Sequence, residues 1–185
     1  MKYQKLILLI SFTLIACSEK LSGKNTFEEA NQYFLSIDPN YVSTTEKHAM
    51  QFKNISFEDS KMDDRGLSYF IYSPNITSLN LGRTKITDVG LSHLLILKKL
   101  ESLLIYQTAI TCNGIKILEK LDSLTQLDIS YNKGIDDSCI DNISRMKQLT
   151  SIEIGSTKIS DNGFLKLRKL RPTMQVTRFE ESGNY

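Results

Sequence analysis

A pattern of apolar residues returns along this chain at an almost constant interval. The distances between the first apolar residues of successive copies are 24, 24, 24 and 25 residues. The five copies begin at Phe52, Ile76, Leu100, Leu124 and Leu149. A period of this length is typical of solenoids, in which each unit can bury its apolar face only against its neighbours.

The first half of each copy has the order apolar, two variable, apolar, one variable, apolar. This alternation predicts a short strand that is buried on one face. Three residues later comes a small polar side chain, which is Ser60, Thr84, Thr108, Asn132 or Thr157 in the successive copies. An apolar anchor then follows, at Met62, Ile86, Ile110, Ile135 and Ile159.

The second half of each copy predicts a short helix. It opens with residues whose side chains make good N-caps, namely Asp63, Thr87, Thr111, Asp136 and Ser160. In four copies the next residue is Asp, which is favourable beside the positive end of a helix dipole. A glycine follows two residues after that position, except in the fourth copy, where Cys139 takes its place.

The combined pattern, LxxLxLxxTxITDxGLxxL, resembles that of leucine-rich-repeat proteins of the short-repeat type. It is most similar to the cysteine-containing subtype, although Thr, Ser or Asn stands where that subtype often has Cys. The resemblance implies an α/β fold: a solenoid with a parallel sheet on its concave side and short helices on its convex side. It also implies a scaffold that binds a protein partner, while the fold alone does not identify that partner.

The N-terminus has the layout of an export signal. Lys2 and Lys5 precede an apolar run from Leu6 to Ile15, which is too short for an ordinary membrane-spanning helix. The sequence Leu14-Ile15-Ala16-Cys17 resembles the bacterial lipobox, in which the cysteine is acylated and becomes the new N-terminus. The alternative is a plain export signal with an incidental Cys17.

The lipobox resemblance implies a lipoprotein of the bacterial cell envelope, anchored in the membrane through Cys17. Ser18 after the cysteine favours the outer membrane over the plasma membrane. Loss of Lys2 and Lys5 from the 23 basic residues leaves as many as the 21 acidic ones. A mature chain without net charge gives no global electrostatic support for binding nucleic acid.

Five segments are therefore predicted, and the mature chain is expected to be monomeric. They are a signal peptide at 1–16, a lipidated tether at 17–25, an N-terminal cap at 26–51, the repeat domain with a closing strand at 52–178, and a polar tail at 179–185. In the cap, Thr26 and Glu29 predict a capping box for a helix that reaches Ile37. Met174 and Val176 predict the closing sixth strand.

Variable strand residues should face the concave side, where a partner would bind. Leu104, Tyr106 and Tyr131 predict an apolar and aromatic centre with an acidic rim, the composition of an interaction hot spot. The rim consists of Glu58, Asp59, Asp128 and Glu153, and the candidate contact residues also include Arg83 and Gln107. The alternative is that the tyrosines only pack along the strands.

Two cysteines of the repeats could bridge in an oxidising compartment. Cys112 takes the place of the first-turn Asp in copy three, and Cys139 takes the Gly place in copy four. Packed helices lie about 8 to 10 Å apart, whereas bridged Cα atoms must come within about 7 Å. The expectation is therefore two unpaired, partly buried thiols, with a disulfide as the alternative.

Catalytic chemistry has no group of residues from which to start. The chain has two histidines, His48 and His93, which belong to different segments, and it has no HExxH, CxxC or phosphate-binding glycine motif. No enzyme activity, metal or cofactor is expected. One alternative function is a structural or accessory envelope protein that contacts membrane or cell wall through the basic run Lys166, Arg168, Lys169 and Arg171. Another alternative is a surface adhesion factor.

Overall fold

A single parallel sheet of six strands forms the concave side of the molecule. The computed structural model describes residues 26–178. The strands lie in the order in which they occur in the sequence. They are β1 (Asn54–Ser56), β2 (Ser78–Asn80), β3 (Ser102–Leu104), β4 (Gln126–Asp128), β5 (Ser151–Glu153) and β6 (Gln175–Thr177). All five predicted repeat strands and the predicted closing strand are confirmed.

The register of the sheet follows the repeat. Leu79 lies opposite Ile55 on one side and Leu103 on the other, so each copy places the same position next to its equivalent. A shift by one residue would turn every core side chain of a strand outward, and the buried face therefore fixes this register. The extra residue of copy four is absorbed before β5, where Gly134 bridges to Thr111.

Short helices cover the convex side, as predicted, but three of the five repeats use a 3₁₀ helix as well as an α-helix. The α-helices are α1 (Phe27–Ile37), α2 (Glu46–Ala49), α3 (Asp64–Leu67), α4 (Asp88–Leu91), α5 (Cys112–Leu118), α6 (Ile140–Arg145) and α7 (Asp161–Leu170). The 3₁₀ helices span Ser68–Tyr72, Ser92–Ile96 and Asp137–Cys139. Tight turns of this kind are common at the ends of α-helices.

The core is one continuous cluster that runs through all repeats between the sheet and the helices. Strand residues such as Leu79, Leu103 and Ile152 are fully buried, and so are helix residues such as Leu91 and Ile140. The helix α1 closes the N-terminal end of this core. Its predicted capping box is present, because Thr26 accepts the amide hydrogen of Glu29 and Glu29 accepts that of Thr26.

In three repeats the acidic residue after the N-cap has a second role that the sequence pattern did not predict. Asp64 accepts hydrogen bonds from the amide and hydroxyl of Thr87 in the next repeat, at 2.7 and 2.6 Å. Asp88 binds Thr111 in the same way. Asp137 does so with Ser160. Each carboxylate therefore joins two repeats, besides lying near a helix N-terminus.

The glycine of the next repeat is required for these contacts. A Cβ at Gly90 would lie 2.4 Å from Oδ1 of Asp64, and a Cβ at Gly163 would lie 2.1 Å from Oδ1 of Asp137. Both distances are too short for two non-bonded atoms. The first turns of neighbouring helices are therefore much closer together than the helix axes.

The prediction of unpaired thiols is wrong, because Cys112 and Cys139 form a disulfide with Cα atoms 5.0 Å apart. The expectation used the distance between helix axes, whereas these two residues occupy the Asp and Gly places that touch at the other junctions. An Asp at position 112 would also face the carboxylate of Asp136, which lies 3.5 Å from the Cys112 sulfur. At this junction the disulfide takes the place of the Asp carboxylate that joins neighbouring repeats elsewhere.

The C-terminal basic run is not a uniformly solvated helix face. Arg171 is buried, and its guanidinium donates to the carbonyls of Met146 and Leu149 at 2.6 Å. Lys166 forms an ion pair with Asp141. The guanidinium of Arg168 lies over the ring of Phe164. The run therefore mainly ties the last helix to the preceding repeat.

Candidate functional site

The concave surface of the sheet is the candidate site. Because the strands are in register, side chains at one position of successive repeats form a column across the sheet. The central column is Ser56, Asn80, Leu104, Asp128, Glu153 and Thr177. Residues that follow the strands extend this surface, and they include Arg83, Tyr106 and Tyr131.

Arg83 lies at the centre of a polar cluster near the N-terminal end of the surface. Its guanidinium pairs with Asp59 at 2.5 Å and with Glu58 at 2.6 Å. The guanidinium carbon also lies 5.3 Å from the ring centroid of Tyr106, a cation–π distance. The Tyr106 hydroxyl donates to Glu58, so four side chains hold one another in place.

The ring of Tyr106 needs the glycine beneath it. A Cβ at Gly82 would lie 2.2 Å from a carbon of that ring. Asn80 completes the arrangement by donating from its side-chain amide to Glu58 at 2.8 Å. Asn80 and Gly82 are not among the contact residues predicted from the sequence. The signal that could have marked them is their alignment with Leu104 and Tyr106 in the next repeat.

The charges of this cluster are stabilised by their neighbours. The hydrogen bond from Arg83 holds the pKa of the Asp59 carboxyl below its ordinary value, and the same bond raises the pKa of Arg83. Burial, with the hydrogen bond to Glu58, raises the pKa of Tyr106 to about 12. The tyrosine is therefore neutral and the ion pairs are intact at neutral pH.

A shallow hollow lies over the next three strands. It has a volume of about 180 Å³, and Leu104, Asp128 and Glu153 contribute to its lining. Burial, together with the charge of Asp128, raises the pKa of the Glu153 carboxyl. Asp128 accepts bonds from the amide and hydroxyl of Ser130. Within residues 26–178, neither of these two carboxylates has an ion-pair partner.

Tyr131 and Gln107 belong to a different column from Tyr106. Each copy has one residue in the left-handed conformation just beyond its strand, with φ between 51 and 60°. These residues are Asp59, Arg83, Gln107, Tyr131 and Ser156. Tyr131 is 44% exposed, and no ring contact joins it to Tyr106 in the described part of the chain.

The structure thus places the predicted contact residues in two groups and two further exposed side chains. Arg83 and Tyr106 form the N-terminal cluster with the rim acids Glu58 and Asp59. Leu104 lies with Asp128 and Glu153 in the hollow. Gln107 and Tyr131 lie exposed in the left-handed column. Their role in binding a partner stays a prediction.

Other predicted features lie apart from this surface. His48 and His93 are exposed in separate helical elements. Cys17, the predicted lipidation residue, lies outside the described residues, as do the signal peptide, the tether and the polar tail. Between residues 26 and 178 there is no helix with the length and hydropathy needed to span a membrane.

Comparison with known proteins agrees with this architecture. The family model described as Leucine Rich repeat matches residues 72–95 and 120–140. The match covers parts of copies one to four, so the family signal and the repeat of the chain coincide. The repeat spacing of 24 or 25 residues and the parallel sheet agree with this match, and the fold is that of a leucine-rich-repeat solenoid.

Three solved structures are similar in part. A leucine-rich-repeat protein of Leptospira interrogans is 25% identical, with a TM-score of 0.46, over 60% of this chain and 27% of that one. Internalin C2 of Listeria monocytogenes is 16% identical (TM-score 0.38; 74% and 85% covered). An internalin F of the same species is 18% identical (TM-score 0.43; 77% and 52% covered).

The present chain spans about a quarter of the length of the Leptospira protein. A comparison with curated proteins gives no match.

Proposed function

We propose that this protein is a membrane-anchored scaffold of the bacterial envelope whose concave face binds a protein with a basic contact surface. Leucine-rich repeats in general act as scaffolds for protein binding. The anchor part of the proposal is supported by the lipobox-like sequence that ends in Cys17. Ser18 supports the outer membrane as the site of the anchor.

The observation that carries the binding proposal is the pair Asp128 and Glu153 beside Leu104. Both carboxylates lack a cationic partner among residues 26–178, and burial already disfavours the charge on Glu153. A lysine or arginine from a partner would lay its hydrocarbon stem on Leu104 and its charge between the two acids. Binding would thereby remove an unfavourable interaction of the free protein.

The rest of the surface supports the same partner chemistry. Glu58 and Asp59 outnumber the one guanidinium of Arg83, so the N-terminal cluster is also acidic in balance. Its side chains are already held by hydrogen bonds, and a rigid surface loses less entropy on binding. Tyr131 adds an exposed aromatic ring, a type of residue that is frequent among binding hot spots.

Site-specific photo-crosslinking in cells tests the binding proposal. A benzophenone amino acid at Gln126, an exposed residue of the hollow, should capture a partner. The double change Asp128→Lys and Glu153→Lys should abolish this capture. Asp122→Lys, which changes the net charge by half as much in the turn before β4, should leave it intact.

Capture that is equal in all three proteins would refute binding at the hollow. Loss of capture in the Asp122→Lys control as well would show that only net charge matters.

The anchor is tested separately by Cys17→Ala. Loss of the protein from the membrane fraction, with loss of the mass of the acyl groups, is the expected result. Unchanged fractionation and mass would refute lipidation and would leave the proposed concave site untouched.

A further inference from the structure

An apolar cavity lies at the N-terminal end of the solenoid, away from the acidic hollow. Its volume is about 370 Å³, and its walls come from α1, from the segment between α1 and β1, and from the first repeat. Ligand pockets for small molecules have volumes of about 300 to 1,000 Å³. The cap therefore covers the first repeat without filling the space beneath it.

The walls of this cavity are mainly aromatic. Phe34 and Phe57 stack with their ring centroids 4.8 Å apart, and Tyr41 lies 5.3 Å from Phe34. The Tyr41 hydroxyl is bound to Asn31 at 2.7 Å, so its polar end already has a partner. Val42, another lining residue, is 79% exposed. Such a side chain leaves an apolar surface in contact with water.

The polar groups of the lining are a carboxylate and uncharged amides and hydroxyls. Among residues 26–178, Asp38 is the only lining residue that is charged at neutral pH, and its carboxylate accepts the amide hydrogen of Asn40 at 2.8 Å. The side-chain amides of Asn40 and Asn54 are exposed and have no protein partner within residues 26–178. These amides can donate and accept hydrogen bonds, whereas the Asp38 carboxylate repels an anion.

From this arrangement we propose that the cavity binds an uncharged amphiphile with one hydrocarbon chain, of the kind represented by a monoacylglycerol. The chain lies among Phe34, Tyr41 and Phe57, where its transfer from water supplies the binding free energy. The hydroxyl or ester groups lie at Asn40 and Asn54. Fatty acids and other anions are excluded, because the described part of the chain places no cation in the lining to offset Asp38.

Fluorescence of N-phenyl-1-naphthylamine, an uncharged apolar probe, tests the proposal. The chain contains no tryptophan, so the protein adds little background. The full chain with Cys17→Ser is used, which prevents an acyl group of the protein itself from entering the cavity. We expect saturable binding that monoolein displaces. Absence of binding, or failure of monoolein to compete, overturns the proposal.

A matched pair of substitutions locates the binding. Ala49 is buried and lines the cavity, so Ala49→Leu fills part of it. Ala109 is exposed in a later repeat, and Ala109→Leu adds the same side chain elsewhere. We expect Ala49→Leu to raise the dissociation constant of the probe by about tenfold or more and Ala109→Leu to leave it unchanged. Equal affinities would overturn the proposal, and circular dichroism checks that both variants are folded.

The choice of an uncharged ligand has its own test. Asp38→Asn removes the carboxylate and keeps an oxygen that can accept the Asn40 amide hydrogen. The anionic probe anilinonaphthalene sulfonate should bind this variant about tenfold more tightly than the wild-type chain. N-phenyl-1-naphthylamine should bind both alike. If the anionic probe binds both equally well, charge selection at Asp38 is refuted.

Discussion

The substitution Asn132→Ala is expected to lower the free energy of unfolding far more than an Ala substitution at the equivalent position of another repeat. Asn132 is fully buried in the row of small polar residues that follow the strands. Its amide donates to the carbonyls of Ile129 and Ile105 at 3.0 and 2.9 Å. Its oxygen accepts the amide hydrogen of Thr108 at 2.8 Å. One side chain thus satisfies backbone groups of two repeats.

The size of this loss of stability follows from the backbone groups that would lose their hydrogen-bond partners. The Ile105 carbonyl keeps the hydroxyl of Thr108 as a donor. Within the described range 26–178, the Ile129 carbonyl and the Thr108 amide have Asn132 as their one partner. A buried polar group without a partner costs about 1 to 3 kcal/mol. Two such groups give an expected loss of about 4 kcal/mol, a large share of the stability of an ordinary domain.

Thr84→Ala is the matched control. Thr84 occupies the same row and is buried, but its hydroxyl makes one bond of this kind, to the carbonyl of Leu81. The expected loss is about 2 kcal/mol. Asn132→Thr should fall between wild type and Asn132→Ala, because a hydroxyl can serve Ile129 but leaves the Thr108 amide without a partner.

Urea unfolding followed by circular dichroism measures these differences, provided that the slope of the transition is unchanged. The comparison between Asn132→Ala and Thr84→Ala is decisive, because both sites lie in the same row of one solenoid. If the two losses differ by less than about 0.5 kcal/mol, a typical effect for a surface substitution, the count of unpaired groups is refuted.

Three further predictions concern the disulfide and the concave surface. Reduction of the Cys112–Cys139 bond, which closes a loop with a sequence separation of 27, should lower the free energy of unfolding by about 3.5 kcal/mol; labelling of both thiols in the native, unreduced protein would contradict the bond itself. Burial raises the pKa of Glu153, so the stability that its protonated form contributes at low pH is lost as the pH rises through that raised value. Glu153→Gln should therefore stabilise the protein at about pH 7 more than at about pH 3.5, and equal shifts of the urea midpoint would contradict this. Gly82→Ala should displace the Tyr106 ring but keep the fold, and an NMR titration should then show a Tyr106 pKa below the value of about 12 in the wild type.

The repeat was predictable because its information is local and redundant. Five copies with one spacing indicated the strands, and the N-caps Asp63, Thr87, Thr111, Asp136 and Ser160 all accept a hydrogen bond from the first turn of their helix. A 3₁₀ turn and an α-helical turn bury the same residues in so short a segment. Periodicity could not distinguish them.

The contacts between repeats were less predictable, since they depend on distances that a pattern does not contain. The hydrogen bonds between Asp64 and Thr87 and the disulfide that was not predicted both result from the close approach of the first helical turns. A signal was nevertheless present: Cys112 and Cys139 are the exceptions at the Asp and Gly places of neighbouring copies. Elsewhere these two places touch each other.

The sequence could predict which residues lie on the candidate surface but not which of their side chains contact each other. Exposed strand positions followed from the alternation, so Arg83, Leu104 and Tyr106 were correctly expected outside the core. Which of them contact each other depends on the left-handed residue after each strand. The cavity under the cap had no sequence signal, because a helix with an apolar stripe is expected whether or not it fills the space below.

The five left-handed residues have a consequence for how this surface can change. A side chain with a Cβ costs about 1 to 2 kcal/mol in that conformation, and glycine avoids this cost. None of the five is glycine, and their side chains belong to five different types that contribute nothing to the core. The left-handed column is therefore a set of neighbouring positions, about 4.8 Å apart, at which residues can be exchanged without repacking the interior. New binding specificities could arise there by substitution, at nearly constant stability of the solenoid.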